Sequence, residues 1–265
     1  MFAHRGGAAL APENTLAAFD HGVASGADGL ELDVRLSRDG VVVVHHDRTL
    51  ERTTNLRGAV SNATANELAR ADAGHHFTRD GTRPFRGVGL GVPTLASVLA
   101  RYRDQRLIVE MKQNSPELAR AVVETIRRAD AADRVCLGSF GLRALRAVRS
   151  LEAAVATSAA REEVRWALYR SWCRWPVSRV AYAGYQVPET SGVTRLVSQR
   201  FVEHAHRSNL RVQVWTVNAE RDARRLLDWG VDGLITDRPD VIVPLIRSSS
   251  RQVAHEAPAF PNGTS

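Results

Sequence analysis

Strand and helix patterns alternate along nearly all of this 265-residue chain. Runs of β-branched and apolar residues are each followed by a segment whose apolar residues recur at helical spacing. Strands are predicted at 1–4, 30–36, 107–112, 134–140, 153–157, 180–187, 211–217 and 233–236. Helices are predicted after residue 15 and near 94–103, 116–129, 141–149, 161–172, 195–208 and 219–229. Such alternation is typical of a parallel sheet covered by crossover helices.

Eight strand–helix units within residues 1–247 predict a single α/β domain, a (β/α)8 TIM barrel. A doubly wound open sheet is the alternative, but no Gly-x-Gly-x-x-Gly motif follows the first strand. A β run at 41–44, after the turn signal Asp39-Gly40, predicts a hairpin with the second strand. Residues 47–92 break the alternation and are expected to form a small insertion after that strand. Residues 248–265 lack periodicity and predict a disordered tail.

The chain carries 36 Lys and Arg residues against 29 Asp and Glu, a formal charge of +7. The basic residues are scattered and do not interleave with aromatics, so we expect a small anionic substrate and no nucleic-acid partner. Only one of the 36 is a lysine, Lys112, whose compact point charge arginine does not mimic. No apolar run is long enough for a transmembrane segment. Two cysteines and no visible signal peptide predict a cytoplasmic protein.

Period-two alternation in the second strand separates two faces. The helix-facing set is Leu30, Leu32, Val34 and Leu36. Glu31, Asp33 and Arg35 are therefore expected inside the barrel, and strand 107–112 adds Glu110 and Lys112 by the same argument. Clustered buried carboxylates need neutralising, and a divalent cation held by Glu31, Asp33 and Glu110 does this most simply. All-oxygen ligation favours Mg²⁺ or Ca²⁺ over Zn²⁺. Solvated carboxylates on an amphipathic antiparallel sheet are the alternative.

Two histidines are predicted at strand ends on the catalytic rim of the barrel. His4 ends the first strand and His46 ends the run that begins at 41. Histidines that titrate near neutrality are suited to serve as a base and an acid across a scissile bond, although a structural role is the commoner one for a histidine at a strand end. Gly6-Gly7 would let the backbone approach a ligand. Arg5 and Lys112 near a cation would clamp an anion such as a phosphodiester.

Short motifs continue this pattern in a fixed order along residues 1–240. They are His4-Arg5-Gly6, Pro12-Glu13-Asn14-Thr15, Glu31-Leu32-Asp33-Val34, His46-Asp47, Pro93-Thr94-Leu95, Val109-Glu110-Met111-Lys112, Ser139-Phe140, Trp215-Thr216-Val217-Asn218 and Gly233-Leu234-Ile235-Thr236-Asp237-Arg238-Pro239. Each motif is weak alone, but the ordered set resembles the glycerophosphodiester phosphodiesterase family. That family adopts a TIM barrel with a small insertion after the second strand, which agrees with the excursion at 47–92.

The resemblance implies roles for nine residues. His4 and His46 would be the catalytic pair, with His4 taken as the base and His46 as the acid, although the sequence does not decide between them. The other implied roles are metal binding for Glu31, Asp33 and Glu110, phosphate binding for Arg5 and Lys112, and an alcohol pocket lined by Phe140 and Trp215. A core position is the alternative for Phe140. Glu13 and Asn14 are interpreted as helix-capping and supporting residues. Ala96-Ser97 replace acidic residues that the family usually carries after Pro93-Thr94-Leu95, and we expect a lost supporting contact there.

The implied reaction is metal-dependent hydrolysis of a glycerophosphodiester to sn-glycerol 3-phosphate and an alcohol. The resemblance implies attack by the glycerol 2-hydroxyl, through a cyclic phosphate that water then opens. A lysophospholipase D-type phosphodiesterase of the same fold is the first alternative. It needs an apolar rim facing a membrane, and the mostly polar 47–92 segment offers only Phe77 and Phe85 as aromatics. A non-catalytic anion-binding barrel is the second alternative.

Overall fold

Eight parallel strands form a nearly closed barrel in the computed structural model, which describes residues 1–176 and 180–255. These strands are β1 (Phe2–Ala3), β2 (Gly29–Leu36), β4 (Arg106–Met111), β5 (Val135–Gly138), β6 (Ala156–Thr157), β7 (Gly184–Pro188), β10 (Arg211–Trp215) and β11 (Gly233–Thr236). Their order around the barrel is β6-β5-β4-β2-β1-β11-β10-β7. A parallel bridge between Ser158 and Gly184 joins the two ends. The predicted TIM barrel is confirmed.

Nine helices are present in the described part of the chain. They are α1 (Leu16–Ala24), α2 (Ala65–Ala69), α3 (Leu95–Arg101), α4 (Pro116–Arg128), α5 (Leu142–Leu151), α6 (Arg161–Cys173), α7 (Gln199–His206), α8 (Glu220–Asp228) and α9 (Pro239–His255). Helix α4 illustrates how the sequence sets them: Ser115 caps it, Pro116 occupies its first turn, and its apolar stripe is buried against the sheet. Within the same described residues, none of the helices has the length and apolar character to cross a bilayer.

Two hairpins depart from the strand–helix alternation. β3 (Val42–Val44) pairs antiparallel with β2, as the turn signal predicts. A second hairpin, formed by β8 (Thr190–Ser191) and β9 (Thr194–Arg195), was not predicted. It delays the start of α7 to Gln199, where Ser198 accepts a hydrogen bond from the backbone N–H of Phe201. The helix predicted from 195 therefore begins four residues later.

The excursion after β3 has a small core of its own. Its buried apolar residues are Val43, Leu50, Val60, Leu68, Ala71, Ala73 and Val92. Helix α2 contributes Leu68 and begins with a capping box between Thr64 and Glu67. The excursion thus packs as a separate lobe on one rim of the barrel.

The last helix extends beyond the predicted start of the tail. α9 continues to His255, whereas a disordered tail was expected from Ser248. The run from 245 to 255 contains no proline or glycine, so nothing in its backbone chemistry ends the helix at Ser248. The rest of the predicted tail, 256–265, lies outside the described residues.

Candidate active site

The polar residues predicted for function gather at the carboxyl ends of the barrel strands. They border a cavity of about 680 Å³, which His4, Arg5, Glu31, His46, Glu110, Lys112, Phe140 and Trp215 all line. Asp33, the ninth predicted residue, is 1% exposed and does not line the cavity. Carboxyl strand ends converge on one face of a barrel, which explains how residues so far apart in sequence meet.

Three carboxylates form the centre of this site. Oxygens of Glu31, Asp33 and Glu110 lie within 4.8 Å of one another. Asp33 on β2 and Glu110 on β4 are direct partners in the sheet register, and Glu31 precedes Asp33 by two residues on the same face. The alternating apolar residues Leu30, Leu32 and Val34 are fully buried on the opposite face, as the periodicity predicts.

Two cations lie against the carboxylates. Lys112 Nζ is 3.0 Å from Asp33 Oδ1 and 3.0 Å from Glu110 Oε1. Arg5 Nε is 3.2 Å from Asp33 Oδ2, which also accepts a 2.8 Å hydrogen bond from Asn14. Asp33 Oδ1 and Glu110 Oε1 thus face the same ammonium and, among the described residues, have no other donor. Carboxylate oxygens gathered this closely are suited to bind a cation, so this oxygen-only set fits a divalent metal ion.

The pKa values of the carboxyls reflect their crowding. Burial, reinforced by the charge of Asp33, raises the pKa of Glu31 to about 8. Burial also raises the pKa of Glu110. Asp33 behaves oppositely, because the charges of Lys112 and Arg5 outweigh its burial and lower its pKa. Without a cation, Glu31 therefore binds a proton more tightly than an ordinary carboxyl does, and this proton would compete with a metal ion for the site.

His4 is held at the edge of the cluster by two acids. Its Nδ1 lies 2.6 Å from Asp237 Oδ1, and its Nε2 lies 3.8 Å from Glu31 Oε2. Burial lowers the pKa of His4, but the charge of Glu31 and the hydrogen bond to Asp237 outweigh it, so the pKa is raised. Asn218 donates to the other oxygen of Asp237 at 2.9 Å and fixes that carboxylate in turn.

His46 is positioned by a similar pair of contacts on another element. Its Nδ1 lies 2.6 Å from Asp47 Oδ1. Its backbone carbonyl accepts two hydrogen bonds from Arg35, at 2.9 and 2.8 Å, which anchors the segment after β3 to β2. Burial lowers the pKa of His46 more than the nearby Asp33 and Asp47 raise it. The two histidines thus have pKa values shifted in opposite directions.

An ion-pair network joins the surroundings of the two histidines. Arg52 binds Asp47 through Nε and binds both oxygens of Glu13, each at 2.7 Å. Glu13 also accepts a 2.9 Å hydrogen bond from Arg5. Glu13 and Asn14 therefore support site residues, but the helix cap predicted for them belongs to Thr15, which accepts from Ala18 N.

The turn after β1 places Arg5 at the cavity. Arg5 adopts a left-handed conformation, φ 50°, and its backbone N–H donates to Glu31 at 3.0 Å. Gly6 follows with φ 89°, and a Cβ there would lie 2.6 Å from the backbone of Ala18. Gly6 thus allows a close approach to helix α1, and Gly7 allows one to Pro239, where a Cβ would lie 3.1 Å from the ring.

Two aromatic rings form one wall of the cavity. Phe140 and Trp215 meet edge to face, with centroids 5.9 Å apart. Lys112 Nζ lies 5.8 Å from the centre of the Phe140 ring. Phe140 is 44% exposed, so the alternative of a core aromatic is wrong for it. The substituted pair Ala96-Ser97 lies at the start of α3, outside the cavity lining.

Helix α6 extends the cavity beyond the residues predicted from sequence. The α6 residues that line it are Val164, Leu168, Tyr169 and Trp172, and Leu196, which follows the hairpin, lines it as well. From the sequence, an apolar rim was considered only in the excursion at 47–92. Apolar residues line the cavity from α6 instead.

Comparison with known proteins assigns the chain to a family. Residues 4–241 match the sequence profile of the glycerophosphoryl diester phosphodiesterase family. The chain belongs to this family. Proteins named glycerophosphodiester phosphodiesterase from Caldanaerobacter subterraneus and Bacillus altitudinis are 31% and 34% identical to it. The alignments cover 93% and 92% of this chain and 97% of each relative. The predicted resemblance to a phosphodiesterase family is confirmed.

Solved structures of glycerophosphodiester phosphodiesterases share the fold. A phosphodiesterase from Oleispira antarctica, in complex with the product sn-glycerol-3-phosphate, is 26% identical with a TM-score of 0.77. The match covers 93% of this chain and 96% of that one. The enzyme from Agrobacterium tumefaciens is 27% identical with a TM-score of 0.73, over 92% and 98% of the two chains.

Several residues of this phosphodiesterase site were not assigned from the sequence. Asp237 and Asp47 were quoted within motifs but given no role, although each is an acid placed directly after a strand end or a histidine. Arg52 donates a hydrogen bond to Asp47 and Asn218 donates one to Asp237, so both residues hold the acids that contact the histidines. For Arg52 no local signal exists, since its contact with Glu13 spans 39 positions.

Proposed function

We propose that this protein hydrolyses glycerophosphodiesters to sn-glycerol 3-phosphate and an alcohol in the cytoplasm. The observation that carries the proposal is the cluster of Glu31, Asp33 and Glu110 between two histidines, in a chain of this family. The product-bound Oleispira antarctica relative supports the substrate class. The free thiols of Cys136 and Cys173 support a reducing compartment.

The three carboxylates are proposed to bind Mg²⁺ or Ca²⁺. The bound cation would supply positive charge to the phosphoryl oxygens in the transition state. Arg5 and Lys112 approach the carboxylates from two sides, so each can donate a charge-assisted hydrogen bond to the phosphate. The aromatic wall of Phe140 and Trp215 would contact the glycerol or alcohol moiety.

His4 and His46 are the proposed acid–base pair. One accepts the proton of the glycerol 2-hydroxyl, whose oxygen attacks phosphorus. The other protonates the departing alcohol oxygen as its P–O bond breaks. Water then opens the cyclic phosphate while the two histidines exchange roles, so each returns to its starting protonation state. Asp237 and Asp47 each engage an Nδ1, so the Nε2 atoms are proposed to transfer the protons, and that of His4 lies 3.8 Å from Glu31.

A lysophospholipid is the second candidate substrate. The part of the cavity between α6 and the hairpin includes the apolar residues Val164, Leu168 and Leu196 beside Arg165 and Thr194. This surface is suited to a lipid chain, because burying apolar area is favourable by about 25 cal/mol per Å².

Product analysis separates the candidates. The protein would be incubated with glycerophosphocholine, glycerophosphoethanolamine and lysophosphatidylcholine, each with Mg²⁺, Ca²⁺ or EDTA. We expect release of glycerol 3-phosphate that EDTA abolishes. Choline release from the lysolipid alone would favour the second candidate. No turnover of any diester would contradict both and favour a non-catalytic anion-binding barrel.

The affinity for the cation should depend on pH. Below a pKa of about 8 Glu31 holds a proton that the cation must displace, so raising the pH favours binding. If one proton is displaced, the dissociation constant should fall about tenfold per pH unit between about pH 6 and 8. Calorimetric titration of the protein with Mg²⁺ and Ca²⁺, in buffers of different ionisation enthalpy, measures both affinity and proton release. An affinity independent of pH would contradict the competition.

Arg52→Gln should lower kcat about tenfold, which is the lower end of the range for residues that orient metal ligands and is taken as the scale for residues that orient other site groups. Arg52 holds both Asp47 and Glu13, which position His46 and Arg5. Steady-state kinetics on glycerophosphocholine would measure the effect. Arg101→Gln is the matched control, because Arg101 forms a similar surface pair with Asp20 away from the cavity. Equal kcat for both variants would show that the network does not position the site.

A further inference from the structure

Large apolar side chains are exposed around the cavity mouth. Among the described residues nine are exposed, and six of them form what we call the mouth patch: Phe140, Trp166, Tyr169, Trp172, Trp175 and Val193. Phe140, Tyr169 and Trp172 line the cavity itself. Val193 is fully exposed at the tip of the β8–β9 hairpin, whose Ser191 and Thr194 also line the cavity. Patches of this kind on a soluble chain mark interaction surfaces.

The aromatic part of the mouth patch is an ordered row along α6. Trp166 packs edge to face on Tyr169 with centroids 6.3 Å apart, and Tyr169 on Trp172 at 5.5 Å. Their exposed fractions are 65%, 50% and 51%, and Trp175 beyond the helix is 66% exposed. These rings contact one another and still present much of their surface outward, which the fold alone does not require.

The charge around the mouth patch is positive. In the segments 161–176 and 190–195, all of which the structure describes, Arg161, Arg165, Arg174 and Arg195 are exposed. Glu162 is the single exposed carboxylate of these segments. Their other acid, Glu163, is bound by Arg149 at 2.7 and 3.0 Å. The partner of this surface is therefore expected to be anionic.

We propose that the mouth patch docks on the surface of a phospholipid bilayer that contains anionic lipids. Tryptophan and tyrosine prefer the boundary between headgroups and acyl chains, where the ring is apolar and its polar atom stays hydrated. Arginine extends from the same depth to the lipid phosphates. A second copy of this chain fits less well, because a two-fold contact would place these arginines against their own copies.

Docking in this way would turn the cavity opening toward the lipid surface. Leu168 and Val164 line the same cavity as Tyr169 and Trp172 of the mouth patch and as the polar site residues. The proposal does not depend on the reaction, since it is tested by binding without turnover.

Vesicle flotation with the full chain tests the proposal. The protein should float with vesicles of phosphatidylcholine mixed with phosphatidylglycerol, should not float with phosphatidylcholine alone, and should dissociate at high salt. The double variant Trp166→Ser/Trp175→Ser should bind about tenfold or more weakly. Neither tryptophan lines the cavity, so turnover of glycerophosphocholine without vesicles should be unchanged and would verify folding.

The contribution of the arginines to vesicle binding can be tested with a matched control. Arg165→Gln/Arg174→Gln should weaken binding to the anionic vesicles about 30-fold at low salt, the equivalent of about 1 kcal/mol per arginine. Arg143→Gln/Arg146→Gln removes the same charge from exposed positions on α5 and should leave binding unchanged. Equal losses in both pairs, failure of the wild type to float with anionic vesicles, or a wild-type dimer that the tryptophan changes dissociate would overturn the proposal.

Discussion

Replacing His46 with alanine should lower kcat toward glycerophosphocholine by about 10²–10⁴-fold, the range typical of losing a general acid or base. The side chain lines the cavity, and Asp47 holds its Nδ1 at 2.6 Å. Arg35 binds only the backbone carbonyl of residue 46, so the segment should keep its position in the variant. Pre-steady-state and steady-state kinetics would separate the chemical step from product release.

His206→Ala is the control for this substitution. His206 also pairs with an aspartate, Asp232, at 2.9 Å, but it is exposed on α7 and does not line the cavity. Its loss should leave kcat unchanged. A His46→Ala variant with near-normal turnover would contradict the proposed histidine pair.

A substrate with an activated leaving group would show which histidine is the general acid and which is the general base. If His46 protonates the leaving alcohol, a glycerophosphoryl nitrophenol diester should recover most of the activity lost in His46→Ala, because nitrophenolate departs without a proton. If His46 is the base, the deficit should persist and the recovery should appear in His4→Ala. This result would decide the roles that the sequence leaves open.

The centre of the site was predictable because it obeys strand periodicity. Glu31, Asp33 and Glu110 lie at alternate positions of two adjacent strands, so an inward face read from the sequence was enough to bring them together. The same logic gave the barrel, since eight strand–helix units leave few arrangements. The strand periodicity and the repeated strand–helix units were thus sufficient to predict both the fold and the carboxylate cluster.

The contacts that orient the site residues were harder to predict from the sequence. Asp237 reaches His4 across 233 positions, and Arg52 reaches Glu13 across 39. Such contacts depend on loop conformations, which no period encodes. The aromatic rim was missed for another reason: Trp166, Tyr169 and Trp172 follow a helical spacing that is equally typical of a buried stripe. In the structure they are exposed, and Tyr169 and Trp172 line the cavity.

Glu110→Gln should weaken binding of the divalent cation at least about 100-fold and lower kcat by a similar factor, since even the residues that orient metal ligands affect affinity 10–100-fold. The variant keeps the volume and the position of the side chain but replaces a charged oxygen. The substitution also removes the ion pair that Glu110 Oε1 forms with Lys112 Nζ at 3.0 Å, so binding of the cation is measured separately from turnover. Lys112 would retain its contact with Asp33 at 3.0 Å, which should preserve the fold.

Thermal unfolding provides a readout that does not require turnover. A cation at about 100 times its dissociation constant stabilises the native state by about 2.7 kcal/mol, which corresponds to about 5–10 °C in Tm for a chain of this size. Glu110→Gln should lose nearly all of that shift at the same concentration, whereas Glu117→Gln, exposed on α4, should retain it. A wild-type Tm that responds to neither Mg²⁺ nor Ca²⁺ would contradict the metal site itself. An equal response in the wild type and Glu110→Gln would instead remove Glu110 from the ligand set, because a carboxylate that binds the ion cannot be neutralised without cost.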